Sequence, residues 1–189
     1  MTVPTALRHA RKAAHLSLGQ LGRRVGYSTQ MMSAVETGRR TLAPDVSLAS
    51  ARQLDDPELY MALAEEATGG VMVAIVLDGP KVDLHRLATG RKLTEEAAEA
   101  IEAFAKCDAL TNCRSAEELT PEGRDQVARM VHHVAELQTC AGNTLLVMCR
   151  DYGFSPEEIR REHVAELVQK GYAAPRREAK FHATKAKAS

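Results

Sequence analysis

Residues 7–40 read LRHARKAAHLSLGQLGRRVGYSTQMMSAVETGRR, and this stretch carries the start and stop signals of two short helices. Ser17 and Ser28 each precede a helical segment, and serine is a preferred residue immediately before the first turn of a helix. Gly26 lies between the segments, where a tight turn needs a residue that tolerates positive φ. The stretch therefore predicts two helices joined by a short turn, the second of them ending at Gly38.

Apolar side chains in this stretch recur at positions that would bring the two helices together. Leu21, Val25, Met32 and Val35 have the spacing of a helix–helix seam. Turning this seam inward leaves small or amide-bearing side chains on the outer face of the second helix: Thr29, Gln30, Ser33, Ala34 and Thr37. Such a helix fits the major groove of DNA, where Gln pairs bidentately with adenine and Ser or Thr serves several bases.

Three further helices are predicted around this pair, which gives five short helices in residues 1–68. Pro4 suits the first turn of a helix that runs to about Ala14, and two more helices begin near Asp45 and Pro57. Aromatic residues make up 4% of the chain and alternating β-branched positions are almost absent, so the pattern does not favour a sheet. The fold class expected is all-α.

The rest of the chain divides into three predicted segments. Residues 69–92 are expected to form a linker with an extended piece, because the apolar run at 71–77 is stopped by Asp-Gly-Pro. Residues 93–174 carry apolar positions at helical spacing and predict a helical domain for self-association or regulation. Residues 175–189 are basic and poor in core-forming side chains, which predicts a disordered tail.

The formal net charge is zero, but the charges are unevenly distributed. Residues 1–54 hold eight Lys or Arg against two acids, a net charge of +6. Residues 55–174 hold twelve basic and twenty-two acidic side chains, a net charge of −10, and the tail carries +4. This asymmetry indicates that the N-terminal segment contacts phosphate, whereas the acidic middle of the chain contacts a different kind of partner.

The stretch at 7–40 resembles the Cro/C1-type (XRE-type) helix-turn-helix family of phage repressors and bacterial regulators. The resemblance covers about a third of the chain and rests on Leu7-Arg8, on Val25-Gly26-Tyr27-Ser28 and on Glu36-Thr37-Gly38-Arg39-Arg40. It implies a five-helix repressor-like domain with Thr29, Gln30, Ser33 and Ala34 facing the bases. The small helical C-terminal domain that follows is predicted by the apolar spacing described above. The residues that the resemblance places beside the DNA backbone are Arg8, Arg11, Lys12, Gln20, Ser28, Arg39 and Arg40.

The chain departs from the family pattern at two positions. Leu18 stands where many members have a backbone-contacting Gln, which shifts phosphate anchoring to Gln20 and the arginines. Gly22 stands where members usually have Ala, at an expected cost of up to about 1 kcal/mol in helix propensity.

Two other interpretations of the sequence remain open. The five-helix region could serve a protein partner, and the second half could sense a small molecule or a metal through its two adjacent histidines or its cysteines, namely His132, His133, Cys107, Cys113, Cys140 and Cys149. The cysteine spacings match no common zinc pattern and favour reduced core thiols. Asp83 and His85 form a candidate catalytic pair, but no nucleophile, oxyanion device or phosphate loop accompanies them, so turn and linker packing is the expected role.

The sequence as a whole thus predicts a DNA-binding transcriptional regulator that acts as a homodimer through its C-terminal helical domain. Members of the family most often repress transcription. Neither a catalytic activity nor a cofactor or metal is expected, and an unknown protein or small-molecule effector stays open. The absence of a long apolar run and of a signal-peptide pattern predicts a cytoplasmic protein without membrane contact.

Overall fold

The computed structural model describes residues 1–111 and 115–175, and within them the chain is all-helical, as predicted. The α-helices are α1 Val3–Ala13, α2 Leu18–Val25, α3 Thr29–Glu36, α4 Pro44–Leu54, α5 Pro57–Thr68, α6 Arg86–Thr111, α7 Pro121–Tyr152 and α8 Pro156–Gln169. A single 3₁₀ turn at Ala116–Glu118 precedes α7. None of the described helices is long and apolar enough to cross a membrane.

The predicted helix boundaries of the N-terminal region are confirmed by their caps. Ser17 and Ser28 have extended backbone, and their side chains accept hydrogen bonds from the backbone N–H groups of Gln20 and Met31. Gly26 ends α2 with φ of +81°, a left-handed conformation that glycine adopts at no steric cost. The turn between α2 and α3 is therefore encoded by three local residues.

The first five helices surround one hydrophobic core. The predicted seam residues Leu21, Val25, Met32 and Val35 are all buried in it. Further core side chains come from the other three helices and from the loop before α4: Val3, Ala6, Leu7, Ala10, Leu42, Val46, Leu59 and Ala62. Helix α1 contacts α3, α4 and α5, so it holds the bundle together.

Gly22 has a packing role that its helix propensity does not reveal. A Cβ atom at this position would lie 2.3 Å from the backbone oxygen of Tyr27 and 3.3 Å from Met32 Cγ. The N–H of Tyr27 also donates to the carbonyl of Gly22 at 2.8 Å, which draws the turn against α2. Glycine is required here because the backbone after the turn occupies the space of a side chain.

The segment before α6, which lies in the predicted linker, packs along α7. The Asn143 side chain accepts a hydrogen bond from the N–H of Leu77 at 3.0 Å and donates to the carbonyl of Ile75 at 2.7 Å. Gly142 allows the close approach, since a Cβ there would lie 2.3 Å from that of Ala74. Residues 71–77 form neither helix nor strand, and α6 begins at Arg86, inside the predicted linker.

Helices α6 and α7 form a long antiparallel hairpin. Thr144 donates to the carbonyl of Thr89 at one end, and the Cys107 thiol approaches the carbonyl of Gln126 at the other. Cys107 and Cys149 are buried free thiols, and Cys140 is a half-buried one. Cys113 lies outside the described residues.

The chain separates into two compact units, Met1–Pro156 and the part from Glu157 onward. The second unit contains nearly all of α8, whose ion pairs join side chains three and four residues apart, including Lys170 with Glu166 at 2.5 Å. Residues 176–189, which contain nearly all of the predicted disordered tail, lie outside the described part. The domain boundaries inferred from the sequence stay predictions.

Substituting Gly22→Ala distinguishes helix propensity from packing. Propensity alone predicts a gain of up to about 1 kcal/mol in the free energy of unfolding. The close approach of Tyr27 instead predicts a loss of about 1–3 kcal/mol, because backbone must move to accommodate the methyl group. Urea unfolding followed by far-UV circular dichroism measures the difference.

Gly90→Ala is the matched control, because Gly90 lies inside α6 with no atom near its absent Cβ. This variant should gain stability through helix propensity. A Gly22→Ala protein as stable as the Gly90→Ala protein would contradict the packing role.

Candidate nucleic-acid interface

The position of α3 is set by an ion pair between Arg11 on α1 and Glu36 at the end of α3. Arg11 Nε and Nη2 donate to the two carboxylate oxygens of Glu36 at 2.5 and 2.9 Å. A third N–H of Arg11 donates to the carbonyl of Leu16 at 2.6 Å. The side chains are only 10% and 6% exposed, so the pair lies beneath the surface.

This geometry changes the role expected for Arg11. The sequence analysis placed it beside the DNA backbone, whereas the structure commits its guanidinium to Glu36 and Leu16. The hydrogen bond to Glu36 raises the pKa of Arg11 above its ordinary value, against the opposing effect of burial. Arg11 therefore fixes the angle between α1 and α3 and is not free to meet a phosphate.

The outer face of α3 carries the side chains predicted to read bases. Thr29 and Gln30 are exposed, while Ser33 and Ala34 are half-buried. The Gln30 amide makes no hydrogen bond within the described part of the chain, so both its donor and its acceptor face solvent. Thr29 Oγ1 sits close to Gly19 of α2, only 3.0 Å from where a Cβ would be.

Thr37 differs from the prediction because it lies just beyond α3, at its C-cap. Its hydroxyl donates to the carbonyls of Ser33 and Ala34, at 2.8 and 3.2 Å. The same oxygen accepts a hydrogen bond from Arg39 Nε at 3.0 Å. With its proton and one lone pair committed, Thr37 orients Arg39 and closes the helix end, which leaves it little capacity for a base.

Arg39 and Arg40 are exposed in the loop that follows α3, as the resemblance implies. Arg40 Nη1 lies 3.7 Å from Met31 Sδ, so its side chain runs back along α3. The loop itself is anchored by Tyr27, whose hydroxyl accepts a hydrogen bond from the N–H of Ala43. Sequence reasoning did not assign Met31 and Tyr27 these supporting roles.

The remaining backbone candidates have different local roles. Ser28 caps α3, and Gln20 completes a capping box in which its Oε1 accepts from the N–H of Ser17 at 2.7 Å. The Nε2 group of Gln20 remains a donor at the exposed start of α2. Arg8 and Lys12 are exposed on α1. These residues surround the α2–α3 pair with donors and positive charge.

The electrostatic field of this region is positive because basic side chains outnumber acidic ones at its surface. Glu36 is paired with buried Arg11, so Asp45 is the exposed acid of residues 1–54. Six basic side chains remain at the surface near α1, α2 and the loop after α3: Arg8, Lys12, Arg23, Arg24, Arg39 and Arg40. A surface of this kind attracts a polyanion.

The candidate catalytic pair Asp83 and His85 has a local structural role. The Asp83 carboxylate accepts from the N–H of His85 at 2.9 Å, and His85 Nδ1 accepts from the N–H of Leu87 at 3.3 Å. Both side chains thereby satisfy backbone donors at the start of α6. This arrangement agrees with the turn role expected from the sequence.

Comparison with known proteins supports the helix-turn-helix interpretation of the N-terminal third. Residues 5–58 match a protein-family model described as a helix-turn-helix domain. No curated protein and no solved structure matches the chain significantly. The matched residues run from α1 to the start of α5 and include the whole α2–α3 pair. A helix-turn-helix domain indicates a DNA-binding regulator.

Removing the acid of the buried pair should destabilise the fold sharply. Glu36→Ala leaves the Arg11 guanidinium buried without its partner, and the expected loss in the free energy of unfolding is about 3–5 kcal/mol. The measurement is urea unfolding of the purified variant.

The control is Glu102→Ala, which removes an exposed ion pair with Lys106 on α6. Its expected cost is much smaller than that of Glu36→Ala, because solvent screens an exposed ion pair. A Glu36→Ala loss as small as that of the control would show that the pair does not hold α1 to α3.

Proposed function

We propose that this helix-turn-helix protein is a sequence-specific regulator of transcription that binds double-stranded DNA as a homodimer and represses. The observation that carries the proposal is the surface of α3. Its N-terminal half presents Gln30 and Thr29 to solvent, and Arg39 and Arg40 flank its other end. A recognition helix in the major groove needs this combination of base-reading side chains and neighbouring phosphate contacts.

Gln30 is the base-reading residue with the most direct chemistry. Its free amide can donate to N7 of adenine and accept from the N6 amino group in one bidentate contact. Ser33 lies about one turn further along the helix, and Thr29 precedes Gln30. These residues would contact neighbouring base pairs in the major groove. Helix α2 would lie across α3, against the DNA backbone.

Phosphate contacts would come from exposed side chains on three elements. Arg8 and Lys12 project from α1, Gln20 offers its Nε2 donor at the start of α2, and Arg39 and Arg40 lie after α3. Each contact releases counterions from DNA, so affinity should fall steeply with salt. The role needs no catalytic step.

The proposed dimer uses the apolar side of the α6–α7 hairpin. Ile101 and Phe104 on α6 are 71% and 51% exposed, and Val131 and Val134 on α7 are 56% and 48% exposed. At 100° per residue, these four positions fall on the same side of the antiparallel pair. A cluster of exposed apolar side chains on a protein often marks an interaction surface.

A second copy of the chain is the occupant we assign to this apolar side. One short recognition helix contacts too few base pairs for useful specificity, so helix-turn-helix proteins bind paired half-sites as dimers. Self-association through the hairpins would leave both α3 helices available for DNA. A dimer seated on an operator represses by occupying the site, which is the commonest outcome in the family that the chain resembles.

Replacing three residues of the interface should abolish specific DNA binding. The variant Gln30→Ala, Ser33→Ala, Arg40→Ala is compared with the wild type on a duplex from the gene's own upstream region and on a scrambled duplex, over a salt series. Each lost base contact should cost about 1–3 kcal/mol, and the lost phosphate contact should reduce the salt slope by about one.

Gln53→Ala is the matched control, since Gln53 is an exposed glutamine on α4. It should bind like the wild type. Equal binding of the triple variant and the wild type would refute the assignment of α3. Absence of binding to any duplex at low salt would refute the DNA-binding proposal itself.

Charges on the apolar side of the hairpin should separate the dimer. The variant Phe104→Glu, Val131→Glu should sediment as a monomer of 20.6 kDa, whereas the wild type should have twice this mass. The physical reason is the cost of burying unpaired carboxylates in an apolar interface.

Glu95→Lys controls for charge alone, because Glu95 is exposed on the other side of α6. This variant should remain dimeric in sedimentation equilibrium. A monomeric wild type, or a dimer that survives both glutamates, would refute the assigned surface.

A further inference from the structure

The polar side of the α6–α7 hairpin contains a cluster of metal-ligating side chains. Glu96 and Glu99 lie three residues apart on α6, and His133 and Glu136 lie three residues apart on α7. One ligand atom from each of Glu96, Glu99 and His133 lies within 4.8 Å of the other two. Residues at this spacing project from the same face of a helix. The two pairs therefore meet at one place between α6 and α7.

Glu96 is a buried carboxylate with one unsatisfied oxygen. The residue is 6% exposed, and its Oε1 pairs with Lys92 Nζ at 2.6 Å. Its other oxygen, Oε2, is buried and has no hydrogen-bond partner. A buried carboxylate oxygen without a partner is costly, so its presence calls for a ligand that supplies positive charge.

His133 presents a second unsatisfied atom to the same place. Its Nδ1 is buried and makes no hydrogen bond, although it lies 3.2 Å from Glu136 Oε2 and 3.6 Å from Glu99 Oε2. A neutral imidazole nitrogen and carboxylate oxygens are all electron-pair donors. Their convergence is an arrangement that a bound cation stabilises.

Acidic side chains predominate in the immediate cluster. Three carboxylates, Glu96, Glu99 and Glu136, lie beside His133 or Lys92, and the Lys92 ammonium pairs with Glu96. The pKa of the neighbouring Cys140 thiol is raised, mainly by burial. The charges of Glu96 and Glu136 raise this pKa further, whereas Lys92 lowers it. The group of mutually close ligand atoms contains no thiol, so the available ligands are oxygen and nitrogen.

We propose that Glu96, Glu99 and His133 bind one divalent first-row transition-metal ion between α6 and α7, with Glu136 as a further ligand. One imidazole with two or three carboxylates suits Zn²⁺, Fe²⁺ or Mn²⁺. Glu99 and Glu136 are 54% and 42% exposed, so their side chains are free to close around the ion. Glu96 keeps Lys92 on one oxygen and offers the other.

The bound ion would crosslink the two long helices at the middle of the hairpin. It would lie on the side opposite Ile101 and Phe104, so metal and apolar surface would occupy different sides of the same element. Metal binding would thereby stabilise the hairpin without competing for the dimer surface. The proposal does not depend on DNA binding, and its test does not use DNA.

The test is equilibrium dialysis of the full-length chain against ZnCl₂, followed by metal analysis and thermal unfolding. The wild type should bind one Zn²⁺ per chain, and at 100 times the dissociation constant Zn²⁺ should raise Tm by about 5–10 °C. The variants Glu99→Gln and His133→Ala should each weaken binding by at least about 100-fold, since each loses a direct ligand.

Two variants keep this test specific. His132→Ala removes the neighbouring, exposed histidine, and Cys140→Ser removes the nearest thiol; both should bind Zn²⁺ like the wild type. The proposal is overturned if Zn²⁺ binding survives in His133→Ala and Glu99→Gln, or if Cys140→Ser abolishes it. It is equally overturned if the wild type binds no Zn²⁺.

Discussion

The N-terminal domain depends on a single constraint, the buried ion pair between Arg11 and Glu36. Burying two charges costs several kcal/mol per ion, and here that cost is offset by a bidentate contact together with the bond from Arg11 to the Leu16 carbonyl. The pair ties the end of α1 to the end of α3. Because the two ions neutralise each other inside the fold, the surface charge around α3 is set by exposed basic residues such as Arg39 and Arg40.

The α6–α7 hairpin shows how one pair of helices presents two different surfaces. Its apolar side exposes Ile101, Phe104, Val131 and Val134, and its polar side gathers three carboxylates and His133. The two sets of residues lie at similar heights along the hairpin. They point to different sides because each residue is rotated by 100° from the one before it. The proposed self-association and the proposed metal binding would therefore act on different sides of this element.

The segment at 71–77 is held to α7 by hydrogen bonds between its backbone and amide side chains of that helix. Asn143 supplies a donor and an acceptor from the middle of α7, and Gln138 adds a bond to the carbonyl of Met72 at 3.0 Å. These amide side chains satisfy an irregular backbone that has no sheet partner. The segment is thereby part of the packed structure, and α5 and the hairpin also meet directly.

The sequence by itself determined the features that depend on neighbours along the chain. The caps Ser17 and Ser28, the left-handed turn at Gly26 and the apolar seam followed from local rules, because each needs only a few consecutive residues. Tertiary structure decided the roles of Arg11, Gly22, Asn143 and the cluster around Glu96. The sequence alone predicts a surface cation at Arg11 and a poor helix former at Gly22. The structure shows that Arg11 pairs with Glu36 and that the backbone of Tyr27 packs against Gly22. Long-range contacts assign such roles, since burial and charge pairing depend on which segments the fold brings together.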